Sequence, residues 1–356
     1  MKKIRWSWVF NATVIITCVC LVLYFIFSED GLNDLLSTDN NLSWNFLIMA
    51  FLCHICNAFI DSVVTWQMTR QRYKRFSLAK GIRTAVTGHF FSAVTPGASG
   101  GQPMQMYLLK SWGVDLGFSS SMLLQKFIVF QTVSTVYAAV LFFIESKFII
   151  SRINGTFMIL FVIIGFLSQL IVMGFIISAC FMPKTVKKLV RATAALLKRF
   201  KFFRDKGIDE KVEKTEEKLN IFYTSNKRFI KRPLLMLTVF IEITIQVTLI
   251  YAVPYFVYKC LLPNGSGAAL TMFCSVAFVN VVSSMIPIPG SSGVSELAFS
   301  VFFGAFFTPT TLKSAVLIWR IITYYTPVLF GVPFALLIKK KGQPELKHIH
   351  KKGDCI

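Results

Sequence analysis

The chain has 356 residues, 54% of them hydrophobic and only 15% charged, with a formal net charge of +21. A soluble domain carries about 25% charged residues, so a soluble globular fold is excluded; apolar runs continuous over about twenty residues exclude a membrane β-barrel. The surplus of Lys and Arg falls between apolar runs, where it marks topology and contacts anionic headgroups, with no nucleic-acid partner.

In chain order, Lys2, Lys3 and Arg5 precede the apolar run 6–27, which reads as a retained first span because no A-x-A cleavage site follows. A second span covers 44–66. The stretch 80–113 is apolar but is split by Pro96-Gly97-Ala98-Ser99-Gly100, so neither half crosses comfortably. Spans 118–143 and 158–181 follow. The insert 183–232 places Val186, Leu189, Val190, Leu196, Leu197 and Phe200 on one helical face flanked by Lys and Arg, the pattern of a helix lying in the membrane interface. Residues 209–222 read as a charged, solvated helix. Span 233–258 is followed by 268–307, split by Pro289-Gly290-Ser291-Ser292-Gly293, a second P-G-x-S-G phrase. A last span, 315–338, leads into a basic tail, 339–356. The eighteen residues after that span predict no soluble catalytic domain.

Charge orients these elements. Thirty Lys and Arg lie before Trp6, in 67–80, in 183–232 and after Ile338, against four in the remaining loops (Lys147, Arg152, Lys259 and Lys313). The positive-inside rule puts the thirty, and both termini, in the cytoplasm. That closes only if 80–113 enters and leaves on one side and 268–307 on the other. The expected fold is an all-α polytopic membrane protein of six full transmembrane helices plus two re-entrant hairpins. Residues 1–145 and 155–338 form an inverted-topology repeat. The alternative is that the hairpin arms cross fully.

Irregular backbone survives at membrane depth only where protein or a polar cavity covers it, and paired breaks point to a transport-type site. In the first hairpin the candidates are Pro96, Gly97, Ser99, Gly100 and Gln102; in the second, Pro289, Gly290, Ser292 and Gly293. Half-helix N-termini there would present N–H groups to an anion such as a phosphate headgroup; the alternative is a packing turn. Ionisable residues inside apolar segments add Arg83, His89, Lys126, Glu242, Glu296 and Arg320. Arg320 is set either to pair with Glu296 or to hold a phosphate. Asp61 and Lys110 are weaker candidates, able to snorkel to an interface. Tyr324 and Tyr325 read as interior aromatics. Cys53-His54-Ile55-Cys56 has metal-like spacing but no second pair, so no metal and no cofactor is expected.

The phrases GHFFSAVTPGASGGQPMQMYLL, IPIPGSSGVSELAF and WRIITYY resemble the transmembrane-region family of lysylphosphatidylglycerol synthase over about 1–340. Ser291 and Ser292 stand where that family often has glycine. The resemblance implies a flippase-like module in a bacterial cell membrane, linked to antimicrobial peptide resistance, with an anionic or aminoacylated phospholipid as its partner. It also implies, as a different reading, lysyl transfer from lysyl-tRNA to phosphatidylglycerol with a separate lipid-modifying enzyme. Oligomeric state is left open. A third reading starts from a similarity to undecaprenyl-pyrophosphate phosphatases, whose breaks read P-G-x-S-R-S-G. Ser99 or Ser292 would then be the nucleophile and His89 or Glu296 the base, although Gly100 and Gly293 stand where that motif has Arg.

Overall fold

A computed structural model describes residues 42–152, 156–198, 208–284 and 288–336. The expected span 6–27 and the tail 339–356 lie outside the described residues. The first helix, α1 (Trp44–Arg70), is inside-out relative to a soluble helix. Trp44, Ile48, Leu52, Ile55 and Phe59 are exposed, one turn apart, while Ala50, Asn57, Asp61, Thr65 and Met68 are buried. Large apolar side chains face the lipid because lipid is as apolar as they are, and small or polar ones meet other helices.

Two short helices follow, α2 (Leu78–Val94) and α3 (Gly101–Ser111). Ser77 opens α2 by accepting the amide of Lys80 at 3.4 Å. A Cβ at Gly88 would overlap the Gln105 side chain, and one at Gly101 would meet Ser92, so this hairpin closes tightly on its glycines. Next, α4 (Leu116–Arg152) runs past the expected end at residue 143. At 1.5 Å per residue it is about 55 Å long, and it bends at Glu145, whose φ of −106° and ψ of 23° leave the helical region.

Helix α5 (Thr156–Phe181) is followed by α6 (Pro183–Lys198). Their axes turn by 86° between residues 163–178 and 183–195. Helix α7 (Ile208–Ile230) extends further than the expected 209–222. It folds back on α6, where Arg191 clamps Glu216 with two bonds of 2.6 and 2.9 Å. Gln125 of α4 and the backbone of Cys180 in α5 both hold Asn226, which ties α7 to the apolar helices.

The rest of the chain is α8 (Pro233–Leu261), α9 (Ala269–Ser283), α10 (Val294–Phe303), α11 (Pro309–Arg320), a π-helical turn (Ile321–Tyr325) and α12 (Thr326–Leu336). Thr308 caps α11 and Pro309 occupies its first turn, where a missing N–H is harmless.

The described residues are helical throughout, and four helices are long and apolar enough to cross a membrane: α1, α4, α8 and the composite 309–335; α5 with α6 makes a fifth if the bent pair is one span. This is a multi-pass membrane protein. The helices α9 and α10 are apolar but too short to cross alone. Three contacts join helices distant in the sequence. Helix α1 lies along α8, α2 packs on α12, and α4 packs on α9. A Cβ at Gly331 of α12 would overlap Phe90 of α2, which is how closely that second pair approaches.

Candidate functional site

The two P-G-x-S-G phrases form the same turn. In each, the second and third residues take left-handed backbone: φ is 58° at Gly97 and 54° at Ala98, 61° at Gly290 and 50° at Ser291. The amide of the third residue donates to the carbonyl before the proline, Ala98 to Thr95 at 3.2 Å and Ser291 to Ile288 at 2.9 Å. The amide of the fourth donates to the proline carbonyl, Ser99 to Pro96 at 3.2 Å and Ser292 to Pro289 at 3.4 Å. Left-handed backbone at a non-glycine residue costs of order 1–2 kcal/mol, and it is retained in both turns. The turns also meet, because Pro96 and Pro289 face each other as an isolated antiparallel bridge.

The fifth position is used differently. The Gly100 amide donates to the Thr95 hydroxyl at 2.8 Å, and the Gly293 amide to Glu296 Oε2 at 2.6 Å. These two N–H groups are therefore taken within the chain and are not offered to an anion. Ser99 is exposed in its turn, and the Ser292 hydroxyl donates to Pro289 at 3.3 Å.

Beside the turns lie two adjoining cavities. The larger, about 380 Å³, is bounded by α1, α2, α8, α9, α11 and the second turn, with His54, Asn57, Gln246, Asn280, Arg320 and Tyr324 in its wall. The smaller, about 170 Å³, holds Asp61, Gln102, Gln105 and Lys126. His89, Ser92, Phe130 and Gln246 border both, so the two cavities share a wall.

An ion pair marks each end. At the larger cavity the Arg320 side chain is 8% exposed, and its Nε donates to Glu296 Oε1 at 2.6 Å. The same guanidinium donates to the Gly290 carbonyl at 3.1 Å and to the Ser295 hydroxyl. It lies over the Trp319 and Tyr324 rings at 5.1 and 5.4 Å. Five donors in a rigid fork suit such a crowded site. The π-helical turn directly after Arg320 swings Tyr324 against Gly290, where a Cβ would overlap its ring. At the smaller cavity, Lys126 Nζ sits 2.6 Å from Asp61 Oδ1 and donates to Thr65 at 3.0 Å. His89 Nε2 is 3.3 Å from Asp61 Oδ2.

Of the residues singled out from the sequence, Gly290, Glu296 and Arg320 come together at one end, and His89, Gln102 and Lys126 at the other. Asp61 does not snorkel to an interface; it is buried as the partner of Lys126. Tyr324 is cavity wall rather than plain interior. Arg83 lies over Trp112 at 5.8 Å, away from both cavities, and Lys110 is exposed. Glu242 accepts from Gln67 at 2.6 Å, joining α8 to α1 rather than facing the cavities. Sequence reasoning missed Asn57, Gln246 and Asn280. These are neutral amides on apolar helices, and the available signal was a polar stripe at His54, Asn57, Asp61 and Thr65.

Residues 9–331 match the family described as the lysylphosphatidylglycerol synthase TM region. The chain is 23% identical over 308 residues to a UPF0104 membrane protein of Archaeoglobus fulgidus, covering 83% of this chain and 89% of that one. It is 25% identical over 338 residues to a UPF0104 membrane protein of Methanothermobacter thermautotrophicus, covering 91% and 92%. No solved structure matches. A family match over so much of the length, on a multi-pass helical scaffold, establishes that the chain belongs to the lysylphosphatidylglycerol synthase TM region family.

Proposed function

We propose that the protein is a flippase-like transporter that moves an anionic or aminoacylated phospholipid between leaflets of a bacterial cell membrane. Its two halves, 1–145 and 155–338, are read as an inverted-topology repeat with six full spans, two re-entrant hairpins and cytoplasmic termini.

The observation that carries this reading is the meeting of two like turns beside a charged cavity. An operation exchanging the halves would carry α1 onto α8, α2 onto α9 and α4 onto 309–336. It would leave the α1–α8 contact and the Pro96–Pro289 bridge in place and swap the α2–α12 contact with the α4–α9 contact; all four are present. Inverted repeats meeting at a central polar site are the plan of many secondary transporters. A space of about 380 Å³ lies within the usual range for ligand pockets. It suits a headgroup and leaves acyl chains to the bilayer. Arg320 supplies the fixed cation for a phosphate, with Glu296 yielding to it as the headgroup enters.

The phosphatase reading needs Ser99 or Ser292 beside a base and the reacting phosphate. Neither serine is in the wall of the two cavities, so nothing here favours it.

Reconstitution tests the reading. Purified protein in phosphatidylcholine vesicles should speed inversion of fluorescent phosphatidylglycerol above empty vesicles. Arg320→Gln should slow it roughly tenfold or more, the value of a charge-assisted contact. Wild-type protein that inverts neither phosphatidylglycerol nor its lysyl ester would overturn the transport proposal.

A further inference from the structure

We propose that Asp61, His89 and Lys126 form a proton-binding site whose occupancy is linked to that of an anion in the adjoining cavity. The proposal rests on the transport reading and adds a proton to it as co-substrate.

Three elements of the first half deliver these groups, α1, α2 and α4. Asp61 and Lys126 are closed off, with side chains 6% and 13% exposed and a separation of 2.6 Å. His89 differs. Its side chain is 31% exposed and stands in the wall that the two cavities share. Its Nε2 is within 3.3 Å of the Asp61 carboxylate but not aligned for a hydrogen bond, and that nitrogen is buried without a partner. One side of the ring thus addresses a buried carboxylate and the other addresses the space a ligand would enter.

The charges around this ring balance when it is neutral. Asp61 cancels Lys126, and Glu296 cancels Arg320. Helix α3 faces the cavity with neutral Gln102 and Gln105, and α8 with neutral Gln246. The π-helical turn contributes Tyr324, and α12 (Thr326–Leu336) has no ionisable residue. The remaining titratable neighbour is His54 on α1, a second imidazole in the same wall and a competitor for the same proton. A phosphate that takes Arg320 from Glu296 therefore leaves one carboxylate uncompensated beside the cavity, an excess negative charge that is costly where water is only partly admitted. A proton on His89 supplies the balancing charge and turns the contact with Asp61 into an ion pair. Anion and proton then favour each other, and by linkage the effect is equal in both directions. The proton is taken from water at the open mouth, rides on the imidazole as imidazolium, and returns to water when the anion leaves; no bond to the lipid is made or broken.

Two measurements decide it. In detergent, adding short-chain phosphatidylglycerol to wild-type protein in a weakly buffered solution with a pH indicator should take up a proton for each lipid bound. His89→Gln should bind lipid more weakly and with no uptake. In vesicles, a gradient of one pH unit should shift the leaflet distribution of fluorescent phosphatidylglycerol by up to about tenfold for one coupled proton. In His89→Gln the distribution should be the same with and without the gradient, whatever the absolute rate. A melting curve on each preparation confirms that the variant is folded. Lipid binding without proton uptake by wild-type protein overturns the proton site even if inversion is robust. Uptake on binding without any inversion keeps the site and overturns the transport reading instead.

Discussion

Removing the Asp61 carboxylate would strand the Lys126 ammonium among α1, α2 and α4 with only the Thr65 hydroxyl to receive it. Breaking a buried pair from one side typically costs 3–5 kcal/mol, whereas replacing both charges by neutral groups costs far less. Asp61→Asn alone should therefore lower the thermal midpoint in detergent strongly, and Asp61→Asn with Lys126→Gln should recover most of the loss. Additive losses in the double variant would refute a direct pair. The glycines of the second turn give a paired comparison at the same scale. At Gly290, with φ of +61°, a Cβ overlaps the Tyr324 ring; at Gly293, with φ of +85°, nothing lies within 4 Å. An alanine at Gly290 carries strain of about 1–2 kcal/mol and overpacking of about 1–3 kcal/mol, whereas one at Gly293, whose ψ of −51° lies outside the left-handed well, carries strain of up to about 3 kcal/mol and no clash. Gly290→Ala should melt below Gly293→Ala, and equal midpoints would show that Tyr324 moves aside freely. The sequence made Glu296 and Arg320 legible because a charge in an apolar run stands out. It did not separate a buried Asp61 from a snorkelling one, since that depends on Lys126, sixty-five positions away. Nor did it mark Gln246 or Asn280, neutral amides whose role exists only through their neighbours.

At the scale of elements, breaks were easier to read than ends. Proline and glycine interrupt both hairpins visibly, so the helix–turn–helix form of 80–113 and 268–307 follows from local chemistry. The extension of α4 to Arg152 does not, because its last turns keep helical periodicity across Lys147 while the apolar run has already ended. The π-helical turn at Ile321–Tyr325 has no local signature; it adds a residue to the helix beside Arg320, at the wall of the cavity, where such insertions are common in functional sites. The contact between α6 and α7 should respond to pH. Its hydrogen bond to Arg191 holds the Glu216 carboxyl below the usual glutamate range. A depressed folded-state value means the stabilisation is complete above the ordinary carboxylate range and is lost as pH falls through the folded-state value. Protection of the α6 and α7 amides, taken relative to the intrinsic exchange rate at each pH, should therefore fall in acid, and Glu216→Gln should show the lower protection at neutral pH with little further change in acid. Protection that falls equally in both proteins would assign the acid response elsewhere.

For the whole molecule, the proposed transport cycle needs something that holds the two halves in register while one moves against the other. The proposed repeat leaves two contacts that map onto themselves: the long α1–α8 face and the small Pro96–Pro289 bridge. The first is broad and interior, with Val64, Met68, Ile243 and Val247 buried on the two helices, so it is suited to stay closed as a pivot. The second is a single pair of exposed residues at the tips of two strained turns, easily broken and remade. If the halves rock about α1–α8, the turns must part or slide when the cavity opens to the other leaflet. Residues opposite one another in an antiparallel pair have Cα atoms about 4.5–5.5 Å apart, within the range a disulfide spans. Pro96→Cys with Pro289→Cys, in a background whose native cysteines are replaced, should therefore cross-link readily under mild oxidation. Inversion of fluorescent phosphatidylglycerol should stop when the link forms and return on reduction. Single-cysteine variants at the same two positions, probed with a membrane-impermeant reagent from each side, report the orientation: in an inverted repeat each turn is approached by its own hairpin from a different face, so accessibility should differ between the two leaflets as the cavity alternates. A cross-link that forms fully yet leaves inversion unchanged would mean that the turns travel together, and the pivot would then have to be sought at the α2–α12 and α4–α9 contacts.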